Sequence, residues 1–220
     1  MLFGLTRDDS GSFRVYRTQD GTAYKSVTSF IGEVSSGKEE LQKWRDAVGI
    51  EEANRISKVA ADKGTAIHLA MEHLVSNQPY KIDFFYQQDY QTLKKIAEKK
   101  ITEVFAIEHQ MYSDKLMLAG TADLIAKYDG QWSIIDYKTS SRVKYKQDID
   151  SYFNQLACYA VMMFERYGMQ INQLVIMMVV EGDPKMLEFI EPAVPWMKNI
   201  IKLRNESSFR NGSNKEMSTC

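Results

Sequence analysis

Between Val104 and Ser140 the chain runs through three segments rich in β-branched and aromatic residues, VFAIEHQMYS, LMLAGTADLIAKY and QWSIIDYKTS, each ended by turn signals. Tyr128-Asp129-Gly130-Gln131 has the chemistry of a hairpin turn. The three segments therefore read as an antiparallel meander. Asp148 to Tyr167 then reads as a helix, QLVIMMVVEG (from Gln173) as a buried strand, and Val194 to Leu203 as a last helix. Strands followed by helix, strand and helix predict an α/β core, with helices flanking a mixed sheet.

Upstream of the meander the pattern is mainly helical. Phe13 to Tyr24 reads as a hairpin, FRVYRT and TAYKSVT about a Gln-Asp-Gly turn. Ser35 to Lys38 reads as a loop and helix start, Glu39 to Val48 as a helix broken by Gly49, and Glu51 to Leu74 as a long helix. Ile56, Val59, Ala60, Ile67, Ala70, Met71 and Leu74 give that long helix its three-to-four apolar spacing. Another helix is expected over Tyr86 to Lys99, and a polar, flexible tail over residues 207–220. The 220 residues suit a single domain over 1–206, with a mainly helical elaboration at 26–100 and an α/β core at 101–206.

Charge and cysteine usage bound the function. The net charge of −1 offers no global field for nucleic acid, so contact with phosphate must come from a local basic groove or from bound cations. The two cysteines, Cys158 and Cys220, cannot ligate an iron–sulfur cluster or a four-thiolate zinc. They fit a reducing, intracellular compartment. Met1 to Ser10 carries Asp8 and Asp9 and no long apolar run, unlike a secretory signal or transit peptide. No stretch approaches the ~20 apolar residues of a membrane span. The expected setting is the cytoplasm of a bacterium or of a virus-infected host cell.

The chemistry sits in the meander. Asp136 and Lys138 are two apart on one strand and share a face, and the hairpin brings Asp123 alongside them. Two acids and a lysine on an otherwise apolar sheet face are costly unless they are used. Neighbouring carboxylates form a hard oxygen site for Mg²⁺ or Mn²⁺. Such a cation neutralises a phosphate and acidifies water, and Lys138 can orient that water or stabilise the charge of the transition state. A buried Asp–Lys ion pair is the competing structural explanation.

These residues resemble the PD-(D/E)XK nuclease superfamily in its RecB-like branch. GTAD (Gly120–Asp123) and IIDYKTS (Ile134–Ser140) resemble the branch's two acidic blocks, KGTAIH (Lys63–His68) its upstream GxxxH motif, and QLACY (Gln155–Tyr159) its downstream QxxxY motif. The similarity spans about Ser26 to Val180, and within the branch the layout is most like the mitochondrial genome maintenance exonuclease and its phage relatives. The resemblance implies a restriction-endonuclease-like fold and a Mg²⁺- or Mn²⁺-dependent exonuclease acting on free, single-stranded DNA ends. It implies His68, Asp123, Asp136 and the Tyr137 carbonyl as metal ligands, and Lys138 as the catalytic lysine. A nitrogen ligand tilts the preference toward Mn²⁺. A structure-selective endonuclease and a catalytically reduced DNA-binding module are the rival readings.

Supporting roles follow for neighbours of these blocks. Glu72, one turn beyond His68, either assists a second metal or orients the histidine. Glu108 precedes Asp123 on the adjoining strand, where an acid can support the metal. Gln155 and Tyr159 share a helix face beside the site. Thr139, Ser140, Arg142 and Lys144 follow the catalytic strand and are placed for phosphates. Trp44 and Phe84 to Tyr86 are candidates for stacking on unpaired bases. DNA is the expected partner, with replication or recombination proteins as possible associates.

Overall fold

The computed structural model describes residues 4–11, 13–35 and 38–216, with side chains as far as Ser207. It is a mixed α/β structure. An open eight-stranded sheet runs in the order β1 (Thr6–Asp8), β2 (Val15–Arg17), β3 (Ala23–Ser26), β5 (Leu118–Tyr128), β6 (Gln131–Ser140), β7 (Gln173–Val180), β8 (Met186–Pro192), with β4 (Ile101–Ser113) on the other edge of β5.

The meander forms as its pattern predicts, with β4 at Ile101–Ser113, β5 at Leu118–Tyr128 and β6 at Gln131–Ser140. The β5–β6 turn has φ 48° at Asp129 and φ 79° at Gly130, the left-handed pair that a two-residue hairpin requires. Helix α5 (Asp150–Tyr167) crosses over to β7 (Gln173–Val180), which pairs parallel to β6. The unbroken apolar run of β7 reflects burial on both faces. Leu174, Ile176 and Met178 join the core under α5, α1 (Val27–Val34) and α6 (Ala193–Glu216), whereas Val175, Met177 and Val179 join the core under α3 (Ile50–Val75) and α4 (Gln87–Lys100).

Several elements differ from the sequence expectations. A strand β1 (Thr6–Asp8) precedes the expected hairpin, which is β2 (Val15–Arg17) and β3 (Ala23–Ser26). The SVT stretch is not strand: Ser26 ends β3, and its side chain accepts a hydrogen bond from the Ser29 amide, so it caps α1. Helix α2 (Lys38–Val48) and α3 fall where expected, but Ile56 and Val59 are exposed. Only the later part of α3 packs on the sheet, through Ile67, Ala70 and Met71. An eighth strand, β8 (Met186–Pro192), pairs antiparallel to β7. It is a half-buried edge strand carrying Glu188 and Glu191, and its mixed pattern hides it in the sequence. Helix α6 continues to Glu216, past the expected end at Leu203 and into the expected tail, because a helix anchored by packed turns propagates cheaply. Ser36, Gly37 and Cys220 lie outside the described residues.

The sheet is split beside β5. One edge of β5 is paired with β4 as far as Leu118. Its other edge is shared: β3 pairs parallel at Leu118 and Ala119, and β6 pairs antiparallel from Leu124 to Tyr128. Gly120 to Asp123 lie between these two ladders. The β5–β6 ladder stops at Leu124 and Ile135, after which β6 continues alongside β7 alone, from Asp136 to Ser140.

Candidate active site

The split in the sheet is a cleft of about 240 Å³. Its walls include Gly120, Thr121 and Asp123 of β5, Asp136 and Lys138 of β6, Gln155 and Tyr159 of α5, Glu108 of β4 and His68 of α3. In the registers of the two ladders, Glu108 falls opposite Asp123 and Asp123 opposite Asp136, so three carboxylates lie in a row across three strands. Glu108 has φ 45°, a left-handed conformation that non-glycine residues rarely adopt. Such backbone strain is typical of functional positions.

The parting of β5 from β6 frees backbone groups that the ladder would have used. The Tyr137 amide donates to Asp123 Oδ2 at 3.2 Å. The Tyr137 carbonyl accepts from His68 Nε2 at 2.7 Å. A carbonyl can only accept, so Nε2 carries the proton in this contact. Burial, the largest influence on His68, lowers its pKa and favours the neutral ring. Nδ1 of that neutral ring is a lone pair, and it stands 3.2 Å from Asp123 Oδ2. His68 reaches Asp123 from a helix on the opposite face of the sheet, which is possible only where the two strands have separated.

Charge accumulates in this buried space. Burial pushes the Asp123 carboxyl well above its ordinary value, and the neighbouring Asp136 and Glu108 charges add to the shift while Lys138 opposes it. Glu108, although exposed, is also raised, by partial desolvation of its carboxyl and then by the charges of Glu72 and Asp136. For Lys138, burial opposes the charged form, but Asp136 and Asp123 outweigh it and raise its pKa, so the ammonium persists. Lys138 Nζ lies 2.6 Å from Asp136 Oδ2. That oxygen is buried, with the ammonium as its partner.

The donor set fits a divalent cation. Ligand atoms of His68, Glu108 and Asp123 lie within 4.8 Å of one another. His68 Nδ1 and Asp123 Oδ2 are near the spacing of adjacent octahedral ligands, roughly 3 Å for bonds of about 2.1 Å. His68 Nδ1 and Asp123 Oδ2 face each other beside the Asp136 carboxylate, an arrangement in which a cation can take the place of a shared proton.

The remaining expected residues are placed unequally. Gln155 hydrogen-bonds Tyr159, and both line the cleft. A Cβ on Gly120 would sit 2.9 Å from the Tyr159 ring, so the first residue of GTAD is glycine because the tyrosine lies on it. Glu72 lies one turn beyond His68 and acts on the cleft through its charge on Glu108. The Tyr137 carbonyl is engaged by His68, and the Tyr137 ring points into the opposite core. Ser140 is committed to a local turn with the Arg142 backbone. Lys144 and Lys138 both lie over the Tyr152 ring, at 6.0 and 5.2 Å. Thr139, Ser140, Arg142 and Lys144 are outside the cleft walls. The sequence reading missed the other wall: Arg7, Arg14 and Tyr16 of the β1–β2 region, with Ser26, Val27 and Thr28 where β3 passes into α1.

An open mixed sheet flanked by helices, split around an acidic, lysine-bearing cleft, defines a restriction-endonuclease-like protein. Residues 87–193 match the family model of the PD-(D/E)XK nuclease superfamily, and this stretch is a nuclease domain of that superfamily. Such nucleases use divalent metals, and the matched stretch holds Glu108, Asp123, Asp136, Lys138, Gln155 and Tyr159 but not His68. Among solved structures, the chain is similar to the protein SSO0001, at 13% identity over 84% of this chain and 74% of that one, with a TM-score of 0.39. It is also similar to a candidate exonuclease from Eubacterium rectale, at 12% identity over 78% of this chain and 69% of that one, with a TM-score of 0.38. No curated protein sequence matches the chain.

Proposed function

We propose that the protein is a metal-dependent deoxyribonuclease of the RecB-like branch, an exonuclease that hydrolyses phosphodiester bonds from single-stranded DNA ends. One nuclease domain spans residues 1–206. The observation that carries the reading is His68 Nδ1 set 3.2 Å from Asp123 Oδ2, with a Glu108 oxygen within 4.8 Å of both residues' ligand atoms. His68 through Nδ1, Asp123 and Asp136 hold a Mg²⁺ or Mn²⁺ ion, with Glu108 in support. The Tyr137 carbonyl, 2.7 Å from His68 Nε2, fixes the histidine ring, a common outer partner of a ligating histidine, and its second lone pair keeps it the further ligand that the resemblance implies. When bound, the cation neutralises the phosphate and lowers the pKa of water.

The chain's own groups do the rest. Lys138 stays protonated between Asp136 and Asp123 and faces the charge that develops on the phosphate oxygens. Gln155 and Tyr159 shape the wall against which the scissile phosphate rests. Thr139, Ser140, Arg142 and Lys144 contact the strand as it leaves along the end of β6.

The deciding experiment is cleavage of end-labelled single-stranded DNA with Mg²⁺, with Mn²⁺ and with EDTA. Cleavage with either metal and none in EDTA is expected. Absence of cleavage under all three conditions by a folded protein would defeat the reading.

A further inference from the structure

The cleft has two walls of opposite charge. One bears Glu108, Asp123 and Asp136; the other bears Arg7 and Arg14, carried by the N-terminal strands. These strands join the sheet through β3, whose short ladder with β5 ends at Ser26 and Ala119, just short of the carboxylate row. Arg7 and Arg14 are held by one acid: Arg7 Nε donates to Asp9 Oδ2 at 2.7 Å, and Arg14 Nε to Asp9 Oδ1 at 2.6 Å. Asp9 thereby fixes the two guanidinium groups through their inner nitrogens. Among the described residues, their outer Nη groups have no partner shown. Ser26 and Thr28 add hydroxyls to the same wall.

We infer that Arg7 and Arg14 form a phosphate subsite, which grips a backbone phosphate of the nucleic-acid strand next to the one being cut. The inference rests on the nuclease reading of the cleft. Guanidinium forks recognise phosphate through paired N–H donors, and here those donors remain free while Nε anchors the side chain. The electrostatics require such a partner. Three carboxyl groups against one lysine leave the acidic wall unattractive to a polyanion, a cation there offsets that only locally, and a net charge of −1 gives no wider attraction. A strand crossing the cleft places one phosphate at the acidic wall and a neighbouring one at the arginine wall. The arginines would act by binding and registering the strand, before any bond is broken.

The test is binding of a short fluorescent oligothymidine, followed by anisotropy across a salt series, in Ca²⁺ and in EDTA. The proteins are wild type, Arg7→Gln/Arg14→Gln, Asp9→Asn and, as an exposed-charge control, Lys202→Gln. The double variant should bind about ten-fold more weakly. Its plot of log affinity against log salt should flatten by about 0.7 for each phosphate that the arginines no longer neutralise. Asp9→Asn keeps both cations but loosens their anchor, so it should bind between wild type and the double variant, with the wild-type salt slope. Lys202→Gln should match wild type. Wild-type affinity and slope in the double variant would overturn the subsite, as would wild type failing to bind the probe at low salt. Equal losses in Asp9→Asn and the double variant would also overturn it, by showing that only the hairpin's integrity matters. Cleavage by wild type with unchanged binding in the double variant defeats the subsite alone. Loss of binding in the double variant, with no cleavage by wild type, defeats the nuclease reading alone.

Discussion

Lys138 and Asp123 are held in opposite electrostatic situations within one cleft. Lys138 is buried yet keeps its proton, because Asp136 and Asp123 outweigh its burial. Lys138→Ala removes a charge aimed at the transition state together with the 2.6 Å partner of the buried Asp136, so the metal-free variant should also melt lower than wild type. Turnover should fall on the order of 10²–10³-fold, with Mn²⁺ affinity nearly unchanged, as read by steady-state kinetics and calorimetric titration. Asp123 is strained in the other direction, its pKa raised well above the ordinary 3.8 by burial and by like charge. Between those two values the folded state binds a proton that the unfolded chain has released, so the metal-free protein must lose stability as pH rises through that window. Asp123→Asn has no such proton to lose. In EDTA its melting temperature should be flatter with pH and higher than wild type near neutrality, while cleavage disappears. Parallel melting curves for the two proteins across the acidic range would show that Asp123 is relaxed in the folded state.

At the scale of elements, the site depends on how α5 meets β5. The Tyr159 ring lies where a Gly120 side chain would be, and Tyr159 is itself 3% exposed, with little room to retreat. Gly120→Ala should cost about 1–3 kcal/mol by overpacking and should lower activity by tilting the Gln155–Tyr159 wall. Tyr159→Ala in the same chain should remove most of that penalty. A denaturation cycle over the four proteins reads the coupling, and additive losses would mean that the two residues do not touch in solution. The meander, α5, β7 and the shared face of Asp136 and Lys138 were legible in the sequence because each follows from a local period or turn chemistry. Ile56 and Val59 misled, because apolar spacing on α3 says which face is apolar and not whether a partner covers it. The arginine wall was illegible for a different reason. Arg7 and Arg14 are ordinary residues of a short hairpin, and only the parallel pairing of β3 with β5 brings them beside residues over a hundred positions away. The gap in the β5 edge has no sequence signature either, although GTAD fills it.

At the scale of the molecule, the question is what kind of DNA can reach the cleft. The chain carries 28 basic and 29 acidic residues, too even a balance to hold a duplex along its backbone. No helix among the described residues is long and apolar enough to cross a membrane. Phe84 and Phe85 are 87% and 85% exposed, with their rings edge to face at 6.3 Å, in a short turn before α4. Trp44, the other stacking candidate, is only half-exposed. The first turn of α4 is tied to α3 by Asp89 and Lys63, at 2.7 Å. The next residue, Gly64, lies against Thr139 of β6: a Cβ there would come within 3.9 Å of its hydroxyl. The phenylalanine pair thus precedes a helix tied to the stretch of α3 that lies against the end of β6. Flat, exposed rings there suit unpaired bases, which stack for about 1–3 kcal/mol each, and offer nothing to a paired duplex. Linear single strands should therefore be degraded much faster than blunt duplexes, and closed single-stranded circles should survive. Phe84→Ala/Phe85→Ala should raise KM for single strands about ten-fold or more while leaving kcat close to wild type, because the rings bind substrate and transition state alike. Rapid cutting of the circles would favour an endonuclease, and an unchanged KM in the double alanine variant would remove the pair from the DNA path.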